Sequence, residues 1–336
     1  MSRFTAFISR LRLLSFVYER LDDVTRSIRD EIHGSTAALH ASQSALSQQI
    51  SIVNRRVELV QEALGRIETR QATAQNSNDF SGNEYRVFSQ CGEDGIIQYL
   101  LRHLTIHKRV FVEFGADNYN FESNTRFLLT NDNWAGLVFD GSEQNIKELR
   151  QAPAYWLYNL KAHQAFITAE NINSLLSQHG ITGEIGLLSI DIDGNDYWVW
   201  QAIDVISPVV MIVEYNHRFG FDRAVTIPYD DKFDRTTAHE SRMYYGASLK
   251  ALCLLGREKG YAFVGCNSNG TNAFFVRRDR LPPHIKELTV AEGFRAGSFG
   301  EGIDRGVRSS PEEETAYVQS LDLPLVEVLE PSRFKS

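Results

Sequence analysis

Cysteine is scarce in this chain: Cys91, Cys253 and Cys266 are its only three among 336 residues. An odd number, with no CxxC pair and no zinc-knuckle spacing, excludes a disulfide framework and a cysteine-based metal site. They read as free thiols, buried or partly buried, in a reducing cytoplasm. Long hydrophobic runs are also missing. Apolar stretches such as 209–213 fall far short of the ~20 residues needed to cross a bilayer. The start, Met1-Ser2-Arg3-Phe4, leads to a short apolar run at 13–17 that Ser15 interrupts. No small-residue cleavage site follows, so a secretory signal is not expected. Positive charge is not in excess either. Acidic residues number 43 against 35 basic ones, a net charge of −8, which speaks against a nucleic-acid binder.

What is present divides into a rod and a domain. From Ile32 onward apolar residues recur with heptad spacing: Ile32, Leu39, Leu46, Val53, Val60 and Ile67 form one row, and Ile50, Val57 and Leu64 a second. Gln, Ser, Arg and Glu fill the gaps, and no proline interrupts. This is the pattern of a coiled-coil seam over 31–71, expected to join copies of the chain into a homo-oligomer. The alternative is a long helix lying on the following domain. Residues 1–30 read as a basic amphipathic helix, with Phe4, Phe7, Ile8, Leu11, Leu14 and Phe16 among Arg3, Arg10, Arg12 and Arg20. Such a helix, residues 3–21 above all, suits a peripheral membrane contact, a protein partner or a cap on the coil. Residues 72–83 (ATAQNSNDFSGN) read as a polar linker.

From residue 84 to 280 apolar runs alternate with helical patterns. Strands are expected at 109–115, 136–140, 186–193 and 209–216, each ending in acids, Gly or Asn. Helices are expected at 143–151, 169–179 and 196–204. This alternation predicts an α/β fold with a doubly wound, Rossmann-like sheet, whose ligands gather beyond the carboxyl ends of the strands. A helix at 246–259 and two strands, 261–266 and 272–277, close the domain. Asn269-Gly270 between the strands signals a hairpin. That terminal antiparallel hairpin resembles the layout of class I methyltransferases. Residues 281–336 read as a C-terminal extension, with a helix at 312–321.

The stretch from Ser89 to Arg278 also resembles the FkbM-like methyltransferases and their relatives in bacterial surface-polysaccharide gene clusters. The resemblance rests on Ser89-Gln90-Cys91-Gly92-Glu93-Asp94-Gly95 and on Phe111-Val112-Glu113-Phe114-Gly115-Ala116-Asp117. Further along it rests on Ser189 to Trp198 (SIDIDGNDYW), Val213-Glu214-Tyr215-Asn216 and Tyr245-Gly246-Ala247-Ser248-Leu249. It implies S-adenosylmethionine as cofactor, with Gln90 on a helix edging the pocket.

The strand ends supply the candidate site. Glu113, Gly115, Ala116 and Asp117 follow the first strand, where a glycine admits the methionine part of the cofactor and carboxylates hold its ammonium; a plain turn is the competing reading. Asp140 closes the second strand, placed to accept hydrogen bonds from ribose hydroxyls or to sit as a solvated acid. Gln90, Glu93 and Asp94 either edge the pocket or cap a helix. Asp191, Asp193 and Glu214 would converge if their strands persist, giving a site for Mg²⁺ or Mn²⁺ or a carboxylate of raised pKa. Asp193 and Asp196 could instead cap the next helix. Asp191 is a catalytic candidate, and His217 and His239 are candidate general bases. The polar segment 218–244 reads as a lid whose Phe219, Phe221, Tyr229 and Phe233 suit a sugar. Ser248 is a further candidate for substrate contact. Trp198 and Trp200 read as packing residues.

The expected function is an S-adenosylmethionine-dependent O-methyltransferase acting on a saccharide or glycolipid hydroxyl, cytoplasmic or peripheral to the inner membrane face. A metal-dependent glycosyltransferase using Asp191-Ile192-Asp193, or a non-catalytic scaffold, are the alternatives.

Overall fold

The computed structural model describes residues 2–75, 77, 79–117, 119, 122–297 and 310–330. Asn120 after the first strand, and residues 298–309 and 331–336 of the 281–336 extension, fall outside them. Two compact units divide at Gln61 and Glu62. A helix, α1 (Ser2–Gln75), begins in the first unit and ends in the second. It has no break near residue 30, and it consumes the first residues read as linker. Its exposed face carries both heptad rows: Ile32, Leu46, Ile50 and Val57 are each more than half exposed. Among the described residues no helix is long and apolar enough to cross a membrane.

In the second unit, the last turns of α1 pack closely because Gly65 has no side chain: a Cβ there would lie 2.5 Å from Val87 and 2.9 Å from Phe127. The Thr69 and Tyr85 hydroxyls meet at 2.5 Å. A short turn, α2 (Phe80–Asn83), and α3 (Glu93–His103) lead into the sheet.

The elements that follow are β1 (Val110–Phe114), α4 (Arg126–Asp132), β2 (Ala135–Asp140), α5 (Glu143–Gln151), α6 (Pro153–Leu157), β3 (Leu160–Gln164), α7 (Ile172–Gln178), β4 (Gly183–Ile190), α8 (Asp196–Ala202) and β5 (Ile206–Glu214). Then come β6 (Val225–Thr226), α9 (Arg235–Ala238), α10 (Leu249–Glu258), β7 (Tyr261–Cys266), β8 (Asn272–Arg277), α11 (Val290–Gly293), α12 (Pro311–Ser320) and β9 (Val326–Glu327). Seven strands form one sheet in the order β3-β2-β1-β4-β5-β8-β7. Only β8 runs against its neighbours. This is a doubly wound, Rossmann-like sheet with a terminal antiparallel hairpin.

Strand period places successive side chains on opposite faces. Val112, Phe114, Leu188 and Val213 join one core with α7, α8 and α10. Phe111, Val138, Leu187 and Ile212 join the other with α3, α4 and α5. Both faces are covered, which is why these strands read as continuous apolar runs. Trp200 is buried in the first core, and Trp198 packs against it. The edge strand β3 has no such signature: only Leu160 and Ala162 point inward, and Lys161, His163 and Gln164 are polar.

The extension packs on the domain. Strand β9 pairs with β6, Tyr215 donates its hydroxyl to the Arg295 carbonyl at 2.6 Å, and Arg218 meets Glu314 at 2.8 Å with both side chains buried. The three thiols are free, with Cys266 buried and the others half-buried.

Candidate functional site

A parallel sheet leaves a crevice where strands on either side of a switch in order carry their crossovers to opposite faces. Here that switch lies between β1 and β4, which pair with each other. A cavity of about 370 Å³ opens at their carboxyl ends. Gln90, Gly115, Asp117, Asp140, Asp191, Asp193 and Glu214 all line it. Residues from distant parts of the sequence thus meet at one place.

Gly115 sets the closeness of the strands. Its φ is +73°, and a Cβ would stand 1.6 Å from the Asp191 carbonyl oxygen. Only glycine satisfies both conditions. Asp117, also at positive φ, reaches the rim, where Asn145 Nδ2 donates to it at 3.3 Å. Asp140 ends β2 with one carboxylate oxygen receiving the Ser142 N–H at 2.8 Å and Asn145 Nδ2 at 3.1 Å. Burial pushes its pKa up. Beside it Phe139, Ala165, Phe166 and Ile167 form an apolar wall.

Glu113 and Ala116 stand elsewhere, contrary to expectation. Side chains alternate along β1, and Glu113 points away from the cavity into the loop before α4. There it accepts from Ser123 Oγ at 2.7 Å, Asn124 N at 2.7 Å and Thr125 Oγ1 at 2.5 Å. Burial pushes its pKa up to about 7 despite these donors. Ala116 is buried in the core beyond β1. Glu113 therefore holds the loop that brings Asn124 to the cavity.

Glu93 and Asp94 act in the same indirect way. Asp94 accepts the N–H groups of Val87, Phe88 and Ser89 at 2.7–2.8 Å. Glu93 receives Cys91 N and the amides of Asn267 and Asn272. These bonds fix the turn that carries Gln90 to the cavity, where Glu122 also lines the rim.

The acidic cluster forms, though not by strand alternation. Strand β4 stops at Ile190, and Asp193 has a φ of +56°. Asp196 closes the loop by accepting Ile192 N and Gly194 N, both at 2.9 Å. It organises this loop, while Asn195 holds the cap position of α8. One carboxylate oxygen each from Asp191, Asp193 and Glu214 then lies within 4.8 Å of the others. Burial first, and the neighbouring carboxylates second, push Asp191 and Glu214 well above the usual range. Glu214 Oε2 and Asn272 Oδ1, both buried at the cavity, have no hydrogen-bond partner among the described residues.

The two histidines are not in the site. The chain turns at Asn216, whose amide donates to the carbonyls of Met243 and Tyr245. That turn sends His217 under the C-terminal segment, with Nε2 3.9 Å from Glu314. Burial and then Arg218 push it down to about 3, so it stays neutral. His239 folds back on Ser241 Oγ at 2.8 Å at the end of α9. Ser248 is no substrate contact either: it is buried, receives the Val225 N–H and caps α10.

Segment 218–244 contributes one residue that composition did not single out. Arg235 bonds Asp193 and lies 3.8 Å from the ring centre of Tyr245. Phe233 reaches the cavity, whereas Phe219 is buried in a satellite core. Phe221 packs at a tilt against Phe294, ring centres 5.8 Å apart, and the Tyr229 hydroxyl donates to Glu170. Asn195 anchors this segment by donating its amide to the Asp230 carbonyl at 2.7 Å. Arg235 sits in a charged, helix-poor segment where no periodicity marks one residue over another.

No protein-family model matches the chain, and no curated protein matches it. Among solved structures it is similar to an S-adenosylmethionine-dependent methyltransferase from Clostridium acetobutylicum, with 13% identity over 55% of this chain and 89% of that one, at a TM-score of 0.34. It is also similar to an O-methyltransferase from Bacillus cereus solved with SAH (15% identity, 54% and 77% covered, TM-score 0.34). An O-methyltransferase family protein from Burkholderia thailandensis shows 11% identity over 55% and 58%, at a TM-score of 0.35. Scores this low carry no argument about chemistry, which rests on the residues of the cavity.

Proposed function

We propose that the chain is an S-adenosylmethionine-dependent O-methyltransferase whose acceptor is a hydroxyl of a saccharide or glycolipid. The observation that carries this reading is the cavity at the switch between β1 and β4, with Asp140 on one side and the Asp191–Glu214 pair on the other. Asp140 suits the ribose hydroxyls, and the apolar wall around Phe166 suits the adenine. Gly115 admits the methionine portion, with Asp117 near its ammonium.

The hydroxyl oxygen forms a bond to the sulfonium methyl carbon as the carbon–sulfur bond breaks, and S-adenosylhomocysteine leaves. The hydroxyl proton must go to a base. With both histidines outside, Asp191 takes that role: its raised pKa brings a carboxylate toward the range where proton acceptance is efficient. Three convergent carboxylates and the unpartnered Glu214 oxygen also fit a hard divalent cation such as Mg²⁺ or Mn²⁺, which would orient the acceptor oxygen. Phe233 supplies an aromatic face for a sugar ring.

Incubation with methyl-labelled S-adenosylmethionine and extracted cell-surface glycans or glycolipids tests the reading. Label in the saccharide fraction supports it, and loss of that label on chelation, restored by Mg²⁺, supports the cation. Transfer of a sugar from a nucleotide donor, with no methyl transfer, would replace it with the glycosyltransferase.

A further inference from the structure

The apolar side of α1 has no part in the cavity chemistry. One row on it recurs every seven residues from Phe4 to Ile67, and every member but Thr25 is apolar and 46–73% exposed. A second row runs beside it. In the N-terminal half it stands three residues ahead, as at Phe7 and Leu21; in the C-terminal half it stands four ahead, as at Ile50 and Leu64. The rows exchange around Ser35 and Thr36, the midpoint of the stretch. Apolar positions therefore mirror one another about that midpoint: Phe4 with Ile67, Tyr18 with Val53, Leu21 with Ile50.

We propose that a second copy of this chain covers this face, laid antiparallel about a two-fold axis passing between Ser35 and Thr36. A strict seven-residue period keeps a seam facing a partner helix, and its mirror symmetry makes it self-complementary under a two-fold axis. Side-chain size selects the orientation. Antiparallel pairing sets large against small, as Phe4 on Ile67 and Tyr18 on Val53, and so holds the helix spacing even. Parallel pairing would set Phe on Phe at one end and Val on Val toward the other, forcing the axes apart at one end. The polar exceptions are few. Thr25 faces Leu46 with its hydroxyl already bonded to the Leu21 carbonyl at 2.7 Å, and Gln43 faces Ile28.

The area suffices. Sixteen apolar side chains per copy, each giving up ~60 Å², bury on the order of 2,000 Å², against about 1,600 Å² for an ordinary stable interface. The seam is also free at its C-terminal end: Gly65 and Thr69 face the folded domain, while Leu64 and Ile67 stay exposed.

Light scattering on the full-length protein should give twice the 38.2-kDa chain mass, and Leu39→Glu with Val60→Glu should give the monomer. Under mild oxidation, Tyr18→Cys combined with Val53→Cys should link two chains covalently, while Val53→Cys alone and the wild type should not. A monomeric wild type, a trimer, or linkage through Val53→Cys alone would overturn the proposal. So would a monomer whose residues 3–21 bind vesicles of anionic lipid instead.

Discussion

Glu113 and Asp140 both stand at the end of a parallel strand, and the fold uses them for different ends. Asp140 keeps its place at the cavity, while Glu113 is turned inward and ties down the loop carrying Asn124. Glu113 is raised above the unfolded value of 4.5 to about 7 by burial, so the folded protein holds a proton that the unfolded chain releases. Its contribution is complete below about pH 4.5 and is lost as pH rises through 7. Urea midpoints of wild type and Glu113→Gln at pH 5, 6 and 7 should therefore converge or cross in favour of the variant, by roughly 2–3 kcal/mol across the window. A difference independent of pH would show Glu113 to be ionised throughout. Asp191 is the residue whose loss should affect chemistry more than binding. Asp191→Asn should lower methyl transfer by about 10²–10⁴-fold and change S-adenosylmethionine affinity by less than ~10-fold; equal losses in both would make it a binding residue only.

Among the elements, β1 and β4 bear the most on function, because the cavity depends on how closely their ends approach. Gly115→Ala inserts a Cβ against the Asp191 carbonyl and strains a positive φ. Urea denaturation should show a loss of about 3 kcal/mol, with binding impaired in the folded fraction. Much of this was legible in the sequence. Helix 143–151 and strands 261–266 and 272–277 stand where periodicity placed them, because one helical face or both strand faces are apolar. Strand β3 was not legible, since an edge strand with polar residues on one side carries no long apolar run. The acidic trio meets for a reason the alternation argument did not contain: Asp196 pulls the chain into a loop that returns Asp193 to Asp191. Neither the turn at Asn216, which carries His217 away from the cavity, nor the fold of His239 back on Ser241 has a signature in the sequence. Arg235 escaped because its ion-pair partner, Asp193, is distant in sequence and adjacent only in the fold.

At the scale of the whole molecule, the C-terminal segment completes the domain instead of trailing from it: Glu314 on α12 neutralises the buried Arg218 beyond β5. The apolar rows of the long helix are exposed and none of their residues lines the cavity, so association and catalysis can be tested independently. We propose that the cavity between β1 and β4 holds S-adenosylmethionine, with Asp140 on its ribose. The most direct measurement is calorimetric titration of S-adenosylmethionine and S-adenosylhomocysteine into wild type and Asp140→Ala. Micromolar binding to the wild type, weakened about 10²-fold or more in the variant, is the predicted result. Failure of both ligands to bind a folded wild type, with a UDP- or GDP-sugar binding instead in the presence of Mn²⁺, would contradict it.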